Sequence, residues 1–260
     1  MMNGETLFEA TDYFQPFPRA EMVFASQVER HSEYLLPLAS IDLSHLSSDW
    51  EGRIHFVLPI EPYDGVIGEE TREYHNYLCR KNWLGYRILD DKYDLACDFR
   101  FFLKAHAEAT APKGRKALQV RRALTAHYER VREGFRLRRK HFQEHGCLHH
   151  AWAKRKRGGQ YAEADRVELV RNLGGVSFSG NWSEMGAFPL ARYTHIGEGG
   201  EELTTAYPKT EDGRDFTFIG SIPAWHYIAE NPEFTSLCGC ELLLFYDPRD
   251  KVALTTFDWS

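Results

Sequence analysis

The chain has 260 residues, of which 43% are hydrophobic and 14% aromatic, and this composition argues against intrinsic disorder. No apolar run approaches the roughly 18 residues of a membrane-spanning helix, and residues 1–6 lack the basic and apolar regions of a secretory signal. The five cysteines are scattered, and their odd number does not fit a disulfide scaffold. We therefore predict a cytoplasmic protein with reduced thiols.

The net charge of −6 combines two oppositely charged parts of the chain. Residues 113–157 contain fifteen Lys and Arg residues and three Glu residues, a net charge of +12, whereas the remainder carries −18. A segment that differs this much from its surroundings either binds something electrostatically or is screened by acidic neighbours.

Residues 1–65 predict one helix followed by a first strand unit. A rough helical stripe over residues 22–35 ends near Pro37. Residues 36–43 look extended, and residues 53–58 alternate between apolar and polar side chains as a half-buried strand does.

Residues 66–172 predict a helical insertion. We expect one helix over residues 69–79, a second that Asp90 and Asp91 cap and that runs to His106, and a short one over residues 161–172. Between them, a long basic helix begins near Ala117 and ends at Gly146. Its apolar side chains fall on one face: Val120, Leu124, Tyr128, Val131, Phe135 and Phe142.

Residues 173–260 predict a β-rich unit that packs on the first. Strands are expected at 216–220, 241–246 and 252–257, with a turn at 247–250 joining the last two. The Gly-rich stretch at 197–200 contains Glu198 and precedes two more glutamates, which would repel a phosphate, so it predicts a hairpin tip or a mobile loop.

An internal echo joins the two ends of the chain. In each, a short strand ending in Ser-Ile precedes a loop and a Gly-led apolar strand, at 38–42 with 52–58 and at 219–223 with 239–245. The predicted fold class is therefore α+β, with a β-rich core of two pseudo-repeated strand units and a long helical insertion between them.

These residues resemble the YwqG-like family of bacterial proteins, a domain of unknown function built from duplicated units. The order of short motifs carries the resemblance, which departs at Val176, where the family usually has Pro, and at Ser221, where it often has Gln. The resemblance implies an immunity or protein-binding role, because such proteins are often encoded near polymorphic toxins. The matching motifs are Leu173-Gly174-Gly175, Asn181-Trp182, Phe188-Pro189, Phe218-Ile219-Gly220-Ser221-Ile222 and Leu244-Phe245-Tyr246-Asp247-Pro248.

Two groups of residues have metal-ligand chemistry, but both also fit a structural role. His145 and His149 have the i, i+4 spacing that places two ligands on one helix face, although Gly146 should end the helix. The other members of this cluster are His141, Glu144, Cys147 and His150. Cys238 and Cys240 lack the second pair that a zinc ribbon needs. No nucleophile elbow, phosphate-binding loop or dinucleotide motif occurs. We predict no cofactor and no enzymatic activity.

Three hypotheses about function follow. The first is a protein-binding protein, such as an immunity protein that neutralises a bacterial toxin by direct contact. The second is a nucleic-acid-associated protein that acts through residues 113–157, and the third is a metal-dependent enzyme centred on the His and Cys residues. No membrane partner is expected, and the oligomeric state is not predicted. The partner-binding residues proposed from charge are Arg132, Arg136, Arg139, Lys140, Glu198, Glu201 and Glu202.

Overall fold

The computed structural model describes residues 4–61, 66–110, 113–150, 152–156, 160–197, 200–228 and 239–259. Its helices are α1 (Ala20–Val23), α2 (Val28–Tyr34), α3 (Leu103–Thr110), α4 (Arg115–His145) and α5 (Asn181–Glu184). Its strands are β1 (Glu5–Leu7), β2 (Phe14–Pro16), β3 (Leu35–Asp42), β4 (Arg53–Pro59), β5 (Trp83–Leu89), β6 (Lys92–Leu95), β7 (Leu148–His149), β8 (Arg166–Val167), β9 (Val170–Leu173), β10 (Leu190–Ile196), β11 (Glu202–Pro208), β12 (Thr217–Pro223), β13 (Cys240–Asp247) and β14 (Val252–Trp259).

The strands form two main sheets and two small ones. The first main sheet, which we call the large sheet, has seven strands in the order β1-β9-β12-β13-β14-β5-β6. The second, which we call the small main sheet, has three strands in the order β2-β3-β4. Two further pairs, β10 with β11 and β7 with β8, are antiparallel. The predicted α+β class, with one long helix between groups of strands, is confirmed.

Two apolar cores lie on opposite faces of the large sheet. Alternation along β13 divides its side chains between them, since Leu242 and Leu244 face the small main sheet whereas Leu243 and Phe245 face the other way. The second core also contains Trp83 of β5 and Trp182 of α5, whose rings are in contact, so α5 covers part of that face of the sheet. A strand buried on both faces reads as a continuous apolar run, which explains the sequence of β13.

Helix α4 packs its apolar stripe against the first core. Leu124, Tyr128 and Val131 are at most 1% exposed, and each buried side chain of this size contributes about 1.5–3 kcal/mol of stability. The helix ends where predicted, because Gly146 adopts a left-handed conformation (φ 71°) and its N–H donates to the Phe142 carbonyl at 2.7 Å.

The internal echo corresponds to two antiparallel strand pairs with the same irregularity. Strand β3 has a register shift between Pro37 and Ala39, and β12 has one between Phe218 and Gly220. Aligning the second strands of the two units on Gly52 and Gly239 gives a correspondence that is wrong by one residue. Ser40 lies opposite His55, and its counterpart Ser221 lies opposite Leu243 and not Leu242. The difference matters because a slip of one residue moves a side chain to the other face of the sheet.

The helix predictions for residues 69–79 and 90–106 are wrong. The first stretch contains only a single 3₁₀ turn, Arg72–Tyr74. Asp90 and Asp91 do not cap a helix but form the hairpin turn between β5 and β6, with φ values of 47° and 63°. Two consecutive positive φ values match the right-handed twist of a hairpin, and Asp tolerates them better than most residues do.

Two other helix predictions fail in part. The stripe over residues 22–35 divides into α1 and α2, which Gln27 separates in a left-handed conformation. Residues 161–172 contain one 3₁₀ turn, Glu163–Asp165, and then β8 and β9 instead of a helix. The predicted insertion therefore supplies strands to the large sheet, while the boundaries at 65/66 and 172/173 stay a prediction.

Candidate partner-binding surface

The four basic residues predicted for binding lie on α4, but they are not equally available. Arg132 donates to the Glu33 carbonyl and stands 5.6 Å from the centre of the Tyr128 ring. Arg136 is paired with Glu133 at 2.6 Å, and Lys140 lies 3.8 Å from Glu144. These exposed pairs within one helix contribute little to stability and can exchange for an external partner.

Arg139 is the fourth predicted residue. It is half-buried, and within the described parts of the chain it forms no ion pair or hydrogen bond. Its guanidinium therefore stays available. The charged groups of Arg136 and Lys140 can become available by exchange, whereas Arg132 serves the protein's own packing.

The three predicted glutamates belong to the β10–β11 hairpin. Glu201 and Glu202 are exposed at the start of β11, and the Gly197 N–H donates to the Glu201 carbonyl at 2.8 Å. The paired flanking strands confirm a hairpin here, while Glu198 lies outside the described residues. No described hydrogen bond or ion pair joins this hairpin to α4, so the acidic and basic predictions form two separate surfaces.

Several α4 arginines bind backbone carbonyls of the protein body. Arg121 donates to the Ala107 carbonyl at the end of α3, and Arg138, which is 8% exposed, donates to the His226 carbonyl at 2.7 Å. These arginines hold the helix against the core. They account for part of the basic segment without any external partner.

Another group of positive charges lies around the start of α4. We call Lys113, Arg115, Lys116, Leu118 and Arg122 the basic helix end. All five side chains are exposed, Leu118 to 49%, and no described ion pair or hydrogen bond involves the four charged ones. Positions 115, 118 and 122 have the three- and four-residue spacing that places them on one face of the helix.

This charge is placed against the helix dipole. The first turn has no acidic residue, and Gly114 at the N-cap provides no side-chain hydrogen bond to the free N–H groups. Positive side chains near a helix N-terminus typically cost about 0.3–1 kcal/mol each. No Asp or Glu occurs between Glu108 and Glu129, so the positive potential at this end is not compensated along the chain.

A second exposed group follows the other end of α4. Trp152 is 65% exposed and stacks on His150 with ring centres 4.7 Å apart. Lys154 and Lys156 are exposed beside it, and Arg155 lies 3.3 Å from His145 Nε2. An α-helix of 31 residues spans about 45 Å, so the two basic groups stand far apart.

The predicted histidine cluster gathers, but not on a helix face. Because α4 ends at His145, His149 lies on β7, and the i, i+4 argument is wrong. His149 Nδ1 is 2.9 Å from His141 Nε2, and its ring stacks on Tyr161. Burial is the main reason why the pKa of His141 is lowered to about 4. It is also the main cause of the lowered pKa of His149. Cys147 Sγ lies 3.7 Å from the other nitrogen, His149 Nε2.

Across the described residues, no group of three or more His, Cys, Asp or Glu side chains is arranged to hold a metal ion. In the histidine cluster the two close contacts of His149 use different ring nitrogens, so Cys147 and His141 do not converge on one point. Cys240 is fully buried at the start of β13, and burial raises the pKa of its thiol. Cys238 lies outside the described residues.

Sequence reasoning missed a buried polar pair in the first strand unit. Ser40 Oγ lies 2.7 Å from His55 Nδ1, and His55 Nε2–H donates to the Asp91 carbonyl at 2.7 Å. Since the carbonyl only accepts, Nδ1 is the acceptor of the serine hydroxyl. Burial lowers the pKa of His55 to about 4, so the ring is neutral near pH 7. Both side chains are at most 2% exposed, which favours a structural link between the sheets.

Two buried carboxyl groups also lay outside the sequence prediction. Glu241 and Asp258 lie opposite each other on β13 and β14, and burial raises the pKa of both. Arg171 donates to Glu241 Oε2 at 2.7 Å, while Glu241 Oε1 has no hydrogen-bond partner. The Ser221 hydroxyl on the neighbouring strand is also unpaired. The predicted hairpin of β13 and β14 already places Glu241 opposite Asp258, but only the pairing of β9, β12 and β13 could have shown that Arg171 and Ser221 lie beside them.

One cavity of about 670 Å³ lies among α2, β6 and α3 and is lined by Arg30, Asp98 and Arg100. Arg100 pairs with Asp98 at 2.8 Å, and Arg30 with Glu33 at 2.5 Å. Both arginines of this cavity are therefore already paired, and the exposed ends of α4 remain the clearest candidates for binding.

Within the described residues, no helix is both long and apolar enough to cross a membrane. No protein-family model, curated protein or solved structure matches the chain. The resemblance to the YwqG-like family stays a prediction.

Proposed function

We propose that this protein binds another protein through the basic helix end. The observation that carries the proposal is the exposed, uncompensated positive charge of Lys113, Arg115, Lys116 and Arg122 around Leu118. A charge arrangement that opposes the helix dipole costs stability in the free protein. An acidic partner would remove that cost, which gives a physical reason for the arrangement.

The expected partner carries an acidic patch around a small apolar depression. Leu118 would fill the depression, while the arginines pair with carboxylates at its rim. Central apolar anchors supply most of the affinity in such interfaces, and complementary charges raise the association rate and exclude wrong partners. Binding of this kind requires no catalytic group in the protein.

The narrower proposal is that the protein is an immunity protein and that the partner is a bacterial toxin. It rests on the resemblance to the YwqG-like family and on the exposed charge of α4. An immunity protein acts by covering the toxin, so its essential property would be a tight and selective surface.

Site-specific photo-cross-linking in the native cells tests the proposal. A photoreactive phenylalanine replaces Leu118 in one variant and Leu89 in a matched control, because these leucines are 49% and 51% exposed on different elements. We expect one discrete cross-linked protein from position 118 and not from position 89. The double substitution Arg115→Glu with Arg122→Glu should abolish it. Equal labelling from both positions, or labelling that survives the charge reversal, contradicts the proposal.

The captured partner then tests the immunity role. If it is toxic when expressed alone, co-expression of the wild-type protein should restore growth and the Arg115→Glu, Arg122→Glu variant should not. A captured protein that is harmless to cells leaves protein binding in place and removes the toxin proposal.

Nucleic-acid binding is the second candidate, and the exposed Trp152 beside Lys154 and Lys156 favours it. Bases stack on exposed aromatic rings while lysines neutralise phosphates. Fluorescence anisotropy with a labelled single-stranded oligonucleotide should show binding that weakens steeply with salt and by about ten-fold or more in Trp152→Ala. Equal binding of Trp152→Ala and of the wild-type protein removes this candidate.

A further inference from the structure

The outer edge of β10 is an unprotected strand edge. None of its seven residues is buried, and Tyr193 and Ile196 are 50% and 67% exposed. The strand pairs with β11 in a regular register from Leu190 to Ile196, with no bulge and no proline. Among the described residues, no backbone group hydrogen-bonds to the edge of β10 that faces away from β11.

The ladder determines which backbone groups point outward. Pro189 with Lys209 and Gly197 with Glu201 are hydrogen-bonded at the two ends of the hairpin, and such pairs alternate in an antiparallel ladder. The odd-numbered residues of β10 therefore bond to β11. The even-numbered residues, which include Arg192 and Thr194, direct their N–H and C=O groups to the free edge.

Other strand edges in the described parts of the chain are short or covered. The large sheet ends in β1, with three residues, and β6, with four. In the small main sheet, β2 has three residues and ends in Pro16, and six of the seven residues of β4 are buried. The far edge of β11 is occupied in part, because the Ser179 N–H donates to the Thr204 carbonyl. Long exposed edges without such protection pair readily with another strand.

We propose that β10 pairs with β10 of a second copy of this chain, in antiparallel orientation about Tyr193. In this register Leu190 lies opposite Ile196 of the second copy, and Arg192 lies opposite its Thr194. Each of these pairs occurs twice by symmetry. The result is a continuous four-stranded sheet across the two copies.

Side-chain complementarity selects this register. Only pairings of even-numbered residues satisfy the outward backbone groups of both strands. Centring the pairing on Arg192 would place two arginines opposite each other, and centring it on Thr194 would place Arg192 opposite Ile196. The register about Tyr193 avoids both contacts and covers the exposed Ile196 with an apolar neighbour.

The interface is small, so the association is weak. A seven-residue strand pair covers much less than the roughly 1,200 Å² of a standard stable interface. The dimer should therefore form with rising concentration. It is independent of the basic helix end, which lies on α4.

Sedimentation velocity from about 1 µM to about 1 mM tests the pairing. Thr194→Pro removes an outward N–H that the pairing uses and leaves the bonds to β11 intact, because proline is tolerated at a strand edge. We expect it to weaken dimerisation by at least about ten-fold. The matched control is Thr204→Pro, which makes the same change directly across the hairpin and should leave dimerisation unchanged. A wild-type monomer at all concentrations, or equal loss in both variants, overturns the proposal.

Charge at position 194 tests the register without proline. Thr194→Glu places a carboxylate opposite Arg192 of the second copy, which should tighten the dimer by about five-fold. Thr194→Arg places two cations there and should weaken it by a similar factor. A pairing centred on residue 194 would instead be weakened by both substitutions, and that outcome overturns the register.

Discussion

The strand pairs β3–β4 and β12–β13 have the same antiparallel arrangement, and each has a bulge just before a Ser-Ile dipeptide. Their serines differ in partner. Ser40 lies opposite His55, which accepts its hydroxyl hydrogen, whereas Ser221 lies opposite Leu243 and its hydroxyl is unpaired among the described residues. The serine of this motif is thus hydrogen-bonded to the residue directly opposite it in the first unit but not in the second. A single cross-strand neighbour determines whether a buried polar group is satisfied.

The largest effect on stability is expected from His55→Leu, which places a leucine opposite Ser40 as Leu243 lies opposite Ser221. The substitution leaves the Ser40 hydroxyl and the Asp91 carbonyl without their partner, and unpaired groups of this kind cost about 1–3 kcal/mol each. We expect a loss of about 3 kcal/mol in the free energy of unfolding, measured by urea denaturation. Adding Ser40→Ala should restore part of it, and a double variant no more stable than the single one contradicts the interpretation.

The next effect is a pH dependence that His55 contributes. Its pKa in the folded protein is about 4, compared with 6.5 for a free histidine. Between these values the unfolded chain binds a proton that the native protein does not, so stability falls as the pH decreases through this range, by on the order of 3 kcal/mol at most. The stability curve of Ser40→Ala, His55→Leu should lack this component. Parallel curves for this variant and the wild-type protein would show that His55 does not titrate as described.

A smaller effect distinguishes the two serines directly. Ser40→Ala removes a made hydrogen bond and leaves His55 Nδ1 unpaired, which should cost about 1–2 kcal/mol. Ser221→Ala removes a hydroxyl that forms no hydrogen bond of good geometry and only a looser contact with the Glu241 carboxyl, so it should change the stability by less than about 0.5 kcal/mol. Paired urea titrations measure the difference, and equal losses in both variants would end the comparison between the two units.

The smallest effect concerns Glu241, the carboxyl group beside Ser221. Burial raises its pKa above the ordinary value of 4.5, while the neighbouring Ser221 hydroxyl and the charge of Arg171 oppose the shift. The native protein therefore binds a proton that the unfolded chain releases, and stability falls as the pH rises from 4.5 through the raised value. Glu241→Gln should flatten this part of the curve. The direction is opposite to that of His55, and a steeper fall in the variant would contradict the prediction.

The sequence predicted elements that local patterns define. Helix α4 was recognisable at both ends and along its stripe because its periodicity is continuous over 31 residues and Gly146 suits the left-handed C-terminal position. Strands β12, β13 and β14 were also found, since each is an apolar run between turn residues. Strand β4 was found from its alternating pattern, but the prediction that it is half-buried is wrong, because six of its seven residues are buried. Their lengths and turn signals are properties of a single segment.

The failures share a cause. Strand β5 pairs with β14, about 170 residues away, and its sequence carries no local sign of that partner. The contact between His55 and Asp91, 36 residues apart, also joins different strand pairs, whereas Glu241 and Asp258 lie on the two strands of one predicted hairpin. The basic segment was correct as a charge pattern, yet only packing showed that Arg121, Arg132 and Arg138 bind the protein's own carbonyls.

The sequence by itself determined the mixed class of the fold, the long basic helix, the repeated strand layout and the excess of charge on one segment. These follow from periodicity, turn chemistry and composition, which act over a few neighbouring residues. The tertiary structure alone decided which strands are neighbours, which arginines stay free and which polar groups are paired. Such outcomes depend on contacts between distant segments, and those contacts form only when the apolar faces of the chain are buried together.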